Sequence, residues 1–351
     1  MSHQVRAVLA MLLTIAACDR GGPLAPVPEL QGTAPVNPPI IWLHYDYMVA
    51  ADHSHAPAAQ TIETLKAVFR AHGITVVVDP RHAEIPERDC LLQGRGPVVR
   101  PEYGPQCALY GGSTFAFFDD LKATYFQPQG SQPWHYAIFA HHGCVNLGCG
   151  YFGGFADYFG YDFMIVSGAL WMPDMPAEVR EQALPRWEAG TTLHELGHNL
   201  GLQHGGNEEE NSKPNYLSVM NYAYLYGIPV AAAVGSGDSV GVRFDYSDRA
   251  APPLDEAHLD ERLGLGIASR DLAAFACSPP GASDFLYPLG PAAGPIDWNC
   301  DGAIDSDVAQ DLNVDASFGI LRGYDDWGHI NALLRTPAYL TGALRPERVV
   351  P

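Results

Sequence analysis

The run HELGHNLGLQH, from His194 to His204, constrains the fold of this 351-residue chain more than any other feature. His194 and His198 are four positions apart, which on an α-helix places both imidazoles on one face, one turn apart. Gly201 lies where such a helix would end, because glycine readily adopts the left-handed conformation that turns the chain. The turn can bring His204 back to the same face. The spacing therefore predicts a helix and a sharp turn that hold three imidazoles around one metal ion.

The chemistry of this predicted site follows from its ligands. Three neutral imidazoles leave a fourth position open on Zn²⁺, which is typical of catalytic zinc rather than structural zinc. Glu195 directly follows the first ligand without being a ligand itself, so its carboxylate can accept a proton from water. The sequence thus predicts a zinc hydrolase with Glu195 as the general base.

The same run matches the pattern H-E-x-x-H-x-x-G-x-x-H, and the chain thereby resembles the metzincin clan of zinc metallopeptidases. SVMNY (218–222) is similar to the Met-turn of that clan. By this resemblance, Met220 would form an apolar floor beneath the metal, and Tyr222 would approach the metal or the oxyanion. The S-x-M-x-Y form looks most like the serralysin and astacin branches. Because Gly-Gly-Asn follows His204 in place of the residues that define either branch, no branch is assigned.

The resemblance spans only 194–222, but it implies a fold and an activity for the whole chain. The fold would be α+β, a zincin with a twisted mixed sheet, a backing helix, an active-site helix and a loop-rich C-terminal subdomain. The activity would be hydrolysis of peptide bonds in a protein or peptide, which would pair with the sheet edge at 162–167. Two alternatives stay open: a zinc hydrolase of a cell-wall amide, and a non-catalytic surface binding protein stabilised by metal. Glu195 argues against the second, because a purely structural site does not need it.

Apolar patterning predicts the elements around the motif. A βαβ unit is expected over 40–79, an N-terminal catalytic subdomain over 40–204 and a C-terminal subdomain over 205–351. Pro185 is expected to interrupt the helical pattern of 176–201, so that the motif helix begins near Arg186. The predicted strands are 40–49, 74–78, 136–140 and 162–167, and the other predicted helices are 57–72, 114–126, 254–262, 268–276 and 325–335.

The N-terminus is typical of an exported protein. Residues 1–17 contain a short apolar run that suits a signal peptide, and Ile-Ala-Ala-Cys18 resembles a bacterial lipobox. Residues 18–39 are rich in Gly and Pro and are predicted to tether the folded part to the membrane through the lipid alone. We expect a lipoprotein of the cell envelope, with secretion as the alternative.

Charge and cysteine content agree with export. The formal net charge of −20 argues against nucleic acid as a partner, since phosphate binding requires a basic surface. Six cysteines remain after Cys18, and an even number in an exported chain suggests disulfides. Pairing of nearest neighbours, one of several possible connectivities, would join 90 to 107, 144 to 149 and 277 to 300.

A second metal is predicted near the C-terminus. The segment DWNCDGAID matches the calcium-loop pattern D-x-N-x-D-G-x-x-D, although its twelfth position is Val308 rather than an acid. The predicted calcium site consists of Asp297, Asn299, Asp301, Ala303 and Asp305. The alternative is a surface turn rich in Asx residues.

Four further histidines occur in two short clusters outside both motifs. His53, His55, His141 and His142 have neither the helical nor the hairpin spacing of a known metal site. Adjacent residues on a strand point to opposite faces, so His141 and His142 should not share a ligand. Ordinary structural roles are expected for all four.

Overall fold

A computed structural model describes residues 38–92, 115–145, 148–150, 153–171, 175–231, 240–279 and 285–344. The predicted signal peptide, the lipidation site Cys18 and the tether up to residue 37 lie outside the described residues, as does Cys107. Among the helices that are described, none is long and apolar enough to cross a membrane.

The predicted strands and the motif helix are present. The first helix and the helix near the C-terminus are present as well, and the segment 114–126 contains a short strand before its helix. The strands are β1 (Ile40–Val49), β2 (Thr75–Val78), β3 (Glu84–Pro86), β4 (Cys90–Leu92), β5 (Phe115–Phe117), β6 (Trp134–Ala140), β7 (Gly143–Val145), β8 (Gly148–Gly150), β9 (Gly154–Ala156), β10 (Asp162–Val166), β11 (Ile228–Ala231), β12 (Val240–Arg243), β13 (Leu254–Asp255), β14 (Leu272–Ala274), β15 (Leu289–Pro291) and β16 (Ile320–Leu321). The helices are α1 (Ala59–Ala71), α2 (Phe118–Tyr125), α3 (Ala177–Asn199), α4 (Asp326–Leu333) and α5 (Pro337–Leu340), with 3₁₀ turns at Gly168–Trp171 and Tyr222–Tyr224.

The main sheet is mixed, and with its helices it confirms an α+β fold. Its strands run in the order β2-β1-β6-β10-β9, with β3 also paired to β1. All these pairs are parallel except β10 with β9. The unit β1-α1-β2 is the predicted βαβ unit. The expectation that the strand at 162–167 forms the sheet edge is wrong, because β9 pairs along it from Phe163 to Ile165. The outermost strand on that side of the described sheet is therefore β9.

The motif helix α3 is longer than predicted. It runs through Pro185 without interruption, so the predicted start near Arg186 is wrong. Proline removes one backbone hydrogen bond, which would be donated to Glu181. Glu181 is exposed, so its carbonyl can be solvated, and the helix tolerates the loss. From Trp187 to Gly197 the helix is buried on all sides, because it lies between the sheet and the C-terminal part of the chain.

Two predicted helices in the C-terminal part are wrong. The segment 254–262 forms β13 and turns, and the segment 268–276 contains β14. β13 pairs with β16, and β14 pairs with β15. Their apolar residues join a second core around Trp298, so tertiary packing overrides a weak local helical pattern. The predicted helix at 325–335 is confirmed as α4.

The largest core joins the two halves of the chain. Leu193 and Leu196 of α3 belong to the same buried cluster as Phe163 of β10 and Trp327 of α4. Burial of large apolar side chains stabilises such a core by about 1.5–3 kcal/mol for each one. The helix that carries the metal motif is therefore fixed from both sides.

One of the predicted disulfides is confirmed. Cys277 and Cys300 are bonded, with 5.9 Å between their Cα atoms. Cys90 is also disulfide-bonded. The antiparallel register of β7 and β8 places Cys144 opposite Cys149. The pairings of Cys90 and of Cys144 with their nearest neighbours stay predictions.

Candidate metal centre

The structure brings the three motif histidines together. One ring nitrogen from each of His194, His198 and His204 lies within 4.8 Å of the others. The first two are on α3 at the predicted spacing, and their Nε2 atoms are 3.1 Å apart. The ring of the third faces both, with centroid distances of 5.3 and 4.9 Å.

Hydrogen bonds fix which nitrogen of each ring is available to a metal. His194 donates from Nδ1 to the carbonyl of Val219 at 2.9 Å, and His198 donates from Nδ1 to that of Leu202 at 2.7 Å. His204 donates from Nδ1 to the Glu209 carboxylate at 2.9 Å. Since carbonyl and carboxylate oxygens only accept, all three protons reside on Nδ1. Each Nε2 is left with its lone pair, as in most histidine–metal sites.

This arrangement fits a zinc ion. Two bare Nε2 atoms that are 3.1 Å apart repel unless a cation lies between them. Ligands about 2.0–2.1 Å from a tetrahedral Zn²⁺ are separated by about 3.3–3.4 Å, close to this distance. Burial lowers the pKa of His198 to about 3 and that of His194 well below its usual value. Both rings are consequently neutral near neutral pH, which is the form that binds a metal.

Gly201 and the turn after it present His204 to the helix. Gly201 has φ +82°, and a Cβ there would lie 2.1 Å from the ring of Phe159. Glycine is therefore required both by the backbone conformation and by the packing. Gln203 and Gly206 then exchange backbone hydrogen bonds of 2.7 and 3.0 Å, which form a tight turn. His204 lies within this turn and is directed at the two helical histidines.

Glu195 lies beside the three histidines, is only 4% exposed and is not a member of the ligand group. Burial raises the pKa of its carboxyl well above the usual value. A Cβ placed on Gly154 of β9 would lie 2.7 Å from Glu195 Oε1, so the backbone of the edge strand passes directly beside the carboxylate. Only glycine therefore fits at position 154 beside the carboxylate. The candidate base and the sheet edge thus adjoin each other.

Met220 is fully buried beneath the helix that carries the ligands. A Cβ on Gly197 would lie 2.2 Å from Met220 Sδ, so the sulfur packs directly against the backbone of α3 between the two helical ligands. Gly197 is therefore a part of the site that the motif pattern did not single out. Its missing side chain allows the methionine to approach.

Tyr222 lies at the open side of the group. Its ring centroid is 4.6 Å from that of His204 and 5.5 Å from that of His194. The side chain is 43% exposed, unlike that of Met220 two residues earlier. Its backbone N–H donates to Asn211 Oδ1 at 3.0 Å. The ring thus lies against two of the histidines, and burial raises the pKa of its hydroxyl, so that the hydroxyl keeps its proton.

Two acidic residues that the sequence analysis missed support the site. Glu209 orients His204, as described above. Asp326 of α4 is fully buried and accepts hydrogen bonds from Tyr216 at 2.8 Å and from Ser218 at 2.5 Å. These residues lead into the turn that carries Met220. Burial raises the pKa of Asp326 to about 7. Neither acid is near the motif in a recognisable pattern, although Glu209 is one of three consecutive glutamates after it.

The predicted calcium loop has the conformation of an Asx-rich turn. Asp297 accepts from the N–H groups of Asp301 and Gly302 at 3.2 and 2.9 Å, and Asp301 accepts from Ala303 at 2.8 Å. Asn299 donates to Asp301 at 3.1 Å. The fully buried carboxylate of Glu261 accepts from the backbone at both ends of the loop, including Asp305. Calcium here stays a prediction.

A second loop, DLNVDASFG (311–319), repeats this conformation and was missed. Residues at its fourth and sixth positions, Val314 and Ala316, have φ of +61° and +66°, as Cys300 and Gly302 have +57° and +90°. Another fully buried glutamate, Glu256, accepts from the N–H groups at its second and ninth positions at 2.6 and 2.9 Å. The two loops are therefore a short structural repeat. The pattern Asp-x-Asn-x-Asp occurs at the start of both loops and could have revealed the repeat from the sequence.

The four histidines of the two short clusters fall into two groups. His142 donates to the carbonyl of Asp89, which is the ordinary structural role expected. The other three, His53, His55 and His141, converge with Glu87 in a second group able to hold a metal ion. Their spacing in the sequence did not indicate this convergence, and an ordinary structural role for the three histidines stays a prediction.

The site so defined is a group of three histidines that could hold a metal ion, two on a buried helix and one in the turn after it, in an α+β protein. Comparison of the chain with protein-family models and with curated proteins gives no match.

Proposed function

We propose that this protein is a zinc-dependent endopeptidase of metzincin type. The observation that carries the proposal is the juxtaposition of three elements: the three-histidine group, the Glu195 carboxylate and the backbone of β9. A metal centre with purely structural duties does not require a buried carboxyl beside it that ligates nothing. Met220 beneath the helix and Tyr222 at the open side add to the resemblance to that clan.

The edge strand supports a peptide as substrate. An extended peptide can add to a strand edge through main-chain hydrogen bonds, and β9, the outermost strand on that side of the described sheet, lies beside Glu195. A peptide bound antiparallel or parallel to β9 would carry a carbonyl past the carboxylate. A small amide without an extended backbone would gain nothing from this edge.

The residues divide the chemistry between them. When bound, zinc lowers the pKa of a coordinated water toward neutrality and polarises the substrate carbonyl. Glu195 accepts the proton of the attacking water and returns it to the leaving amine. The hydroxyl of Tyr222 donates a hydrogen bond to the developing oxyanion. Glu209 keeps the proton of His204 on Nδ1, so that its Nε2 stays a ligand.

Chelation provides the test of the proposed function. The full-length chain, purified in detergent, is incubated with a mixed library of quenched peptides. We expect cleavage that falls to background with a zinc chelator and returns when zinc is added. Zinc-loaded protein that leaves every peptide intact would contradict an endopeptidase. A panel of cell-wall amides and a pull-down then distinguish the amide hydrolase from the binding protein.

We also propose calcium for the loop at 297–305. Its oxygen-rich pattern and the matching loop at 311–319 support a shared role, and calcium is the ion that such oxygen ligands select. The ion would stabilise the C-terminal part without entering the reaction.

We propose export and lipid anchoring from the sequence of residues 1–39. If Cys18 carries the lipid, Cys18→Ser is expected to move the protein from the membrane fraction to the soluble exported fraction, because a single polar substitution removes the attachment atom. Fractionation with immunodetection measures this. Unchanged membrane attachment of the variant would refute the lipidation site.

A further inference from the structure

The second histidine group lies at one end of the main sheet. His53 and His55 follow β1, Glu87 follows β3, and His141 follows β6. These three strands are parallel neighbours, so their carboxyl ends meet at the same edge of the sheet. A tight turn after β1 brings its two histidines back, with Ala50 donating to the carbonyl of His53 at 2.9 Å. Residues far apart in sequence thereby converge.

Four donor atoms of this group, one from each residue, lie within 4.8 Å of one another. Glu87 Oε2 is 3.0 Å from His53 Nε2 and 3.1 Å from His55 Nε2. His141 Nδ1 is 3.3 and 3.1 Å from the same two nitrogens. Ligands of a tetrahedral zinc site are about 3.3–3.4 Å apart when the bonds are about 2.0–2.1 Å. The four contacts are near this separation, whereas His141 Nδ1 and the Glu87 carboxylate are farther apart, with 3.9 Å to Oε1.

Outer hydrogen bonds direct the ring nitrogens inward. His53 Nδ1 bonds the carboxylate of Asp52 at 2.9 Å, and since a carboxylate only accepts, Nδ1 carries the proton. His55 Nδ1 bonds Ser167 Oγ at 3.0 Å. These are the outer partners that metal-binding histidines typically have. His141 is held by a close backbone, because a Cβ on Gly168 would lie 2.9 Å from its Cδ2.

Protons alone account poorly for these four contacts. The four contacts form a closed ring, in which each donor atom is shared by two contacts, and a hydrogen bond satisfies one contact at a time. One cation at the centre satisfies all four at once. The group is also shielded from water, since the exposed fraction of its side chains is 0% for His55 and at most 18% for the others.

We propose that His53, His55, Glu87 and His141 form a second zinc site, separate from the three-histidine centre. Three imidazoles and one carboxylate are ligand types that suit zinc. Four protein ligands leave no open position, so this site is structural rather than catalytic. It joins the ends of β1, β3 and β6. Through Ser167 it also reaches the end of β10, which leads toward α3 and the catalytic ligands.

Metal counting on the full-length chain tests this site without using activity. The chain is loaded with zinc, dialysed and measured by elemental analysis. We expect about two zinc ions for each wild-type chain, one for each group. His55→Ala is expected to hold about one, and the double variant His55→Ala/His204→Ala none. Thermal unfolding should show a lower Tm for His55→Ala than for the zinc-loaded wild type, since the ion ties three strands.

Two further measurements keep the test decisive. His258→Ala, at an exposed histidine paired only with Asp307, is the control and should hold about two ions. If His55→Ala does not fold, His53→Gln at the more exposed ligand replaces it. Loss of all bound zinc in His204→Ala, or variants of the four residues that keep the wild-type zinc count, would overturn the proposal. Retention of one ion by His204→Ala, with the tetrahedral absorption spectrum after cobalt substitution, would support it.

Discussion

Glu195→Gln is expected to abolish peptide hydrolysis while zinc stays bound. Glutamine has nearly the same shape, so it fits the buried space beside Gly154. It cannot accept a proton from water, and a positioned general base contributes about 10²–10⁴-fold to a rate. We expect kcat/KM to fall by about 10³-fold, measured on the best peptide from the library. Zinc content should not change, because Glu195 is not a ligand.

A second buried glutamate of the same helix provides the matched control. Glu188 is 1% exposed and accepts hydrogen bonds from Ala58 N at 2.8 Å and Thr61 Oγ1 at 2.9 Å, which belong to the start of α1. Burial raises its pKa to about 7. Glu188→Gln makes the same chemical change away from the histidines and should retain activity within a few-fold. Near wild-type turnover by Glu195→Gln would sink the assigned role, and equal losses in both variants would show a general disturbance of α3.

Strong local patterns predicted most of the elements that position the site. β1 has an apolar stretch bounded by Pro, and helix α1 has apolar residues at helical spacing, so burial and backbone geometry agree. The motif could be read because all its ligands lie within eleven residues. Their mutual geometry is then fixed by one helix and one turn. A site that is local in sequence can be predicted from sequence.

The second metal group shows why the remainder could not be predicted. Its ligands lie at 53, 55, 87 and 141, and no period connects them. They converge only because β1, β3 and β6 are adjacent and parallel, and the short strand β3 was not predicted. The one sequence feature that these residues share is that each follows a strand. Ligands often bind at the carboxyl ends of parallel strands. This feature predicts a shared site only when the order of the strands in the sheet is already known.

Positioning residues were missed for a related reason. Asp326 lies more than a hundred residues after Tyr216 and Ser218, from which it accepts hydrogen bonds, and it reaches them through the packing of α4 on the common core. The pairing of β9 with β10 was not predicted. β9 has only three residues in a glycine-rich segment, too few to show the alternation typical of a strand. In both cases tertiary contacts, rather than local preference, decide the structure.

His204→Ala is expected to remove zinc from the three-histidine centre. Two imidazoles on α3 would remain, and the ligand that the turn at Gly201 contributes would be lost. Glu209→Gln keeps the ligand but weakens its outer hydrogen bond, a change that typically costs about 10–100-fold in metal affinity. Loss of the ligand itself should exceed the upper end of that range. Both variants should retain whatever zinc the group at 53, 55, 87 and 141 holds.

Zinc occupancy over a series of chelator-buffered zinc concentrations separates these outcomes. The expected order of affinity for the three-histidine centre is wild type, then Glu209→Gln, then His204→Ala, with hydrolysis falling in the same order. The contribution of the second group is common to all three proteins, so the difference between their curves isolates the centre. Unchanged affinity in His204→Ala would show that the turn after Gly201 places this imidazole near the metal without binding it. A hydrolytic zinc ion at this centre would then need a third ligand other than His204.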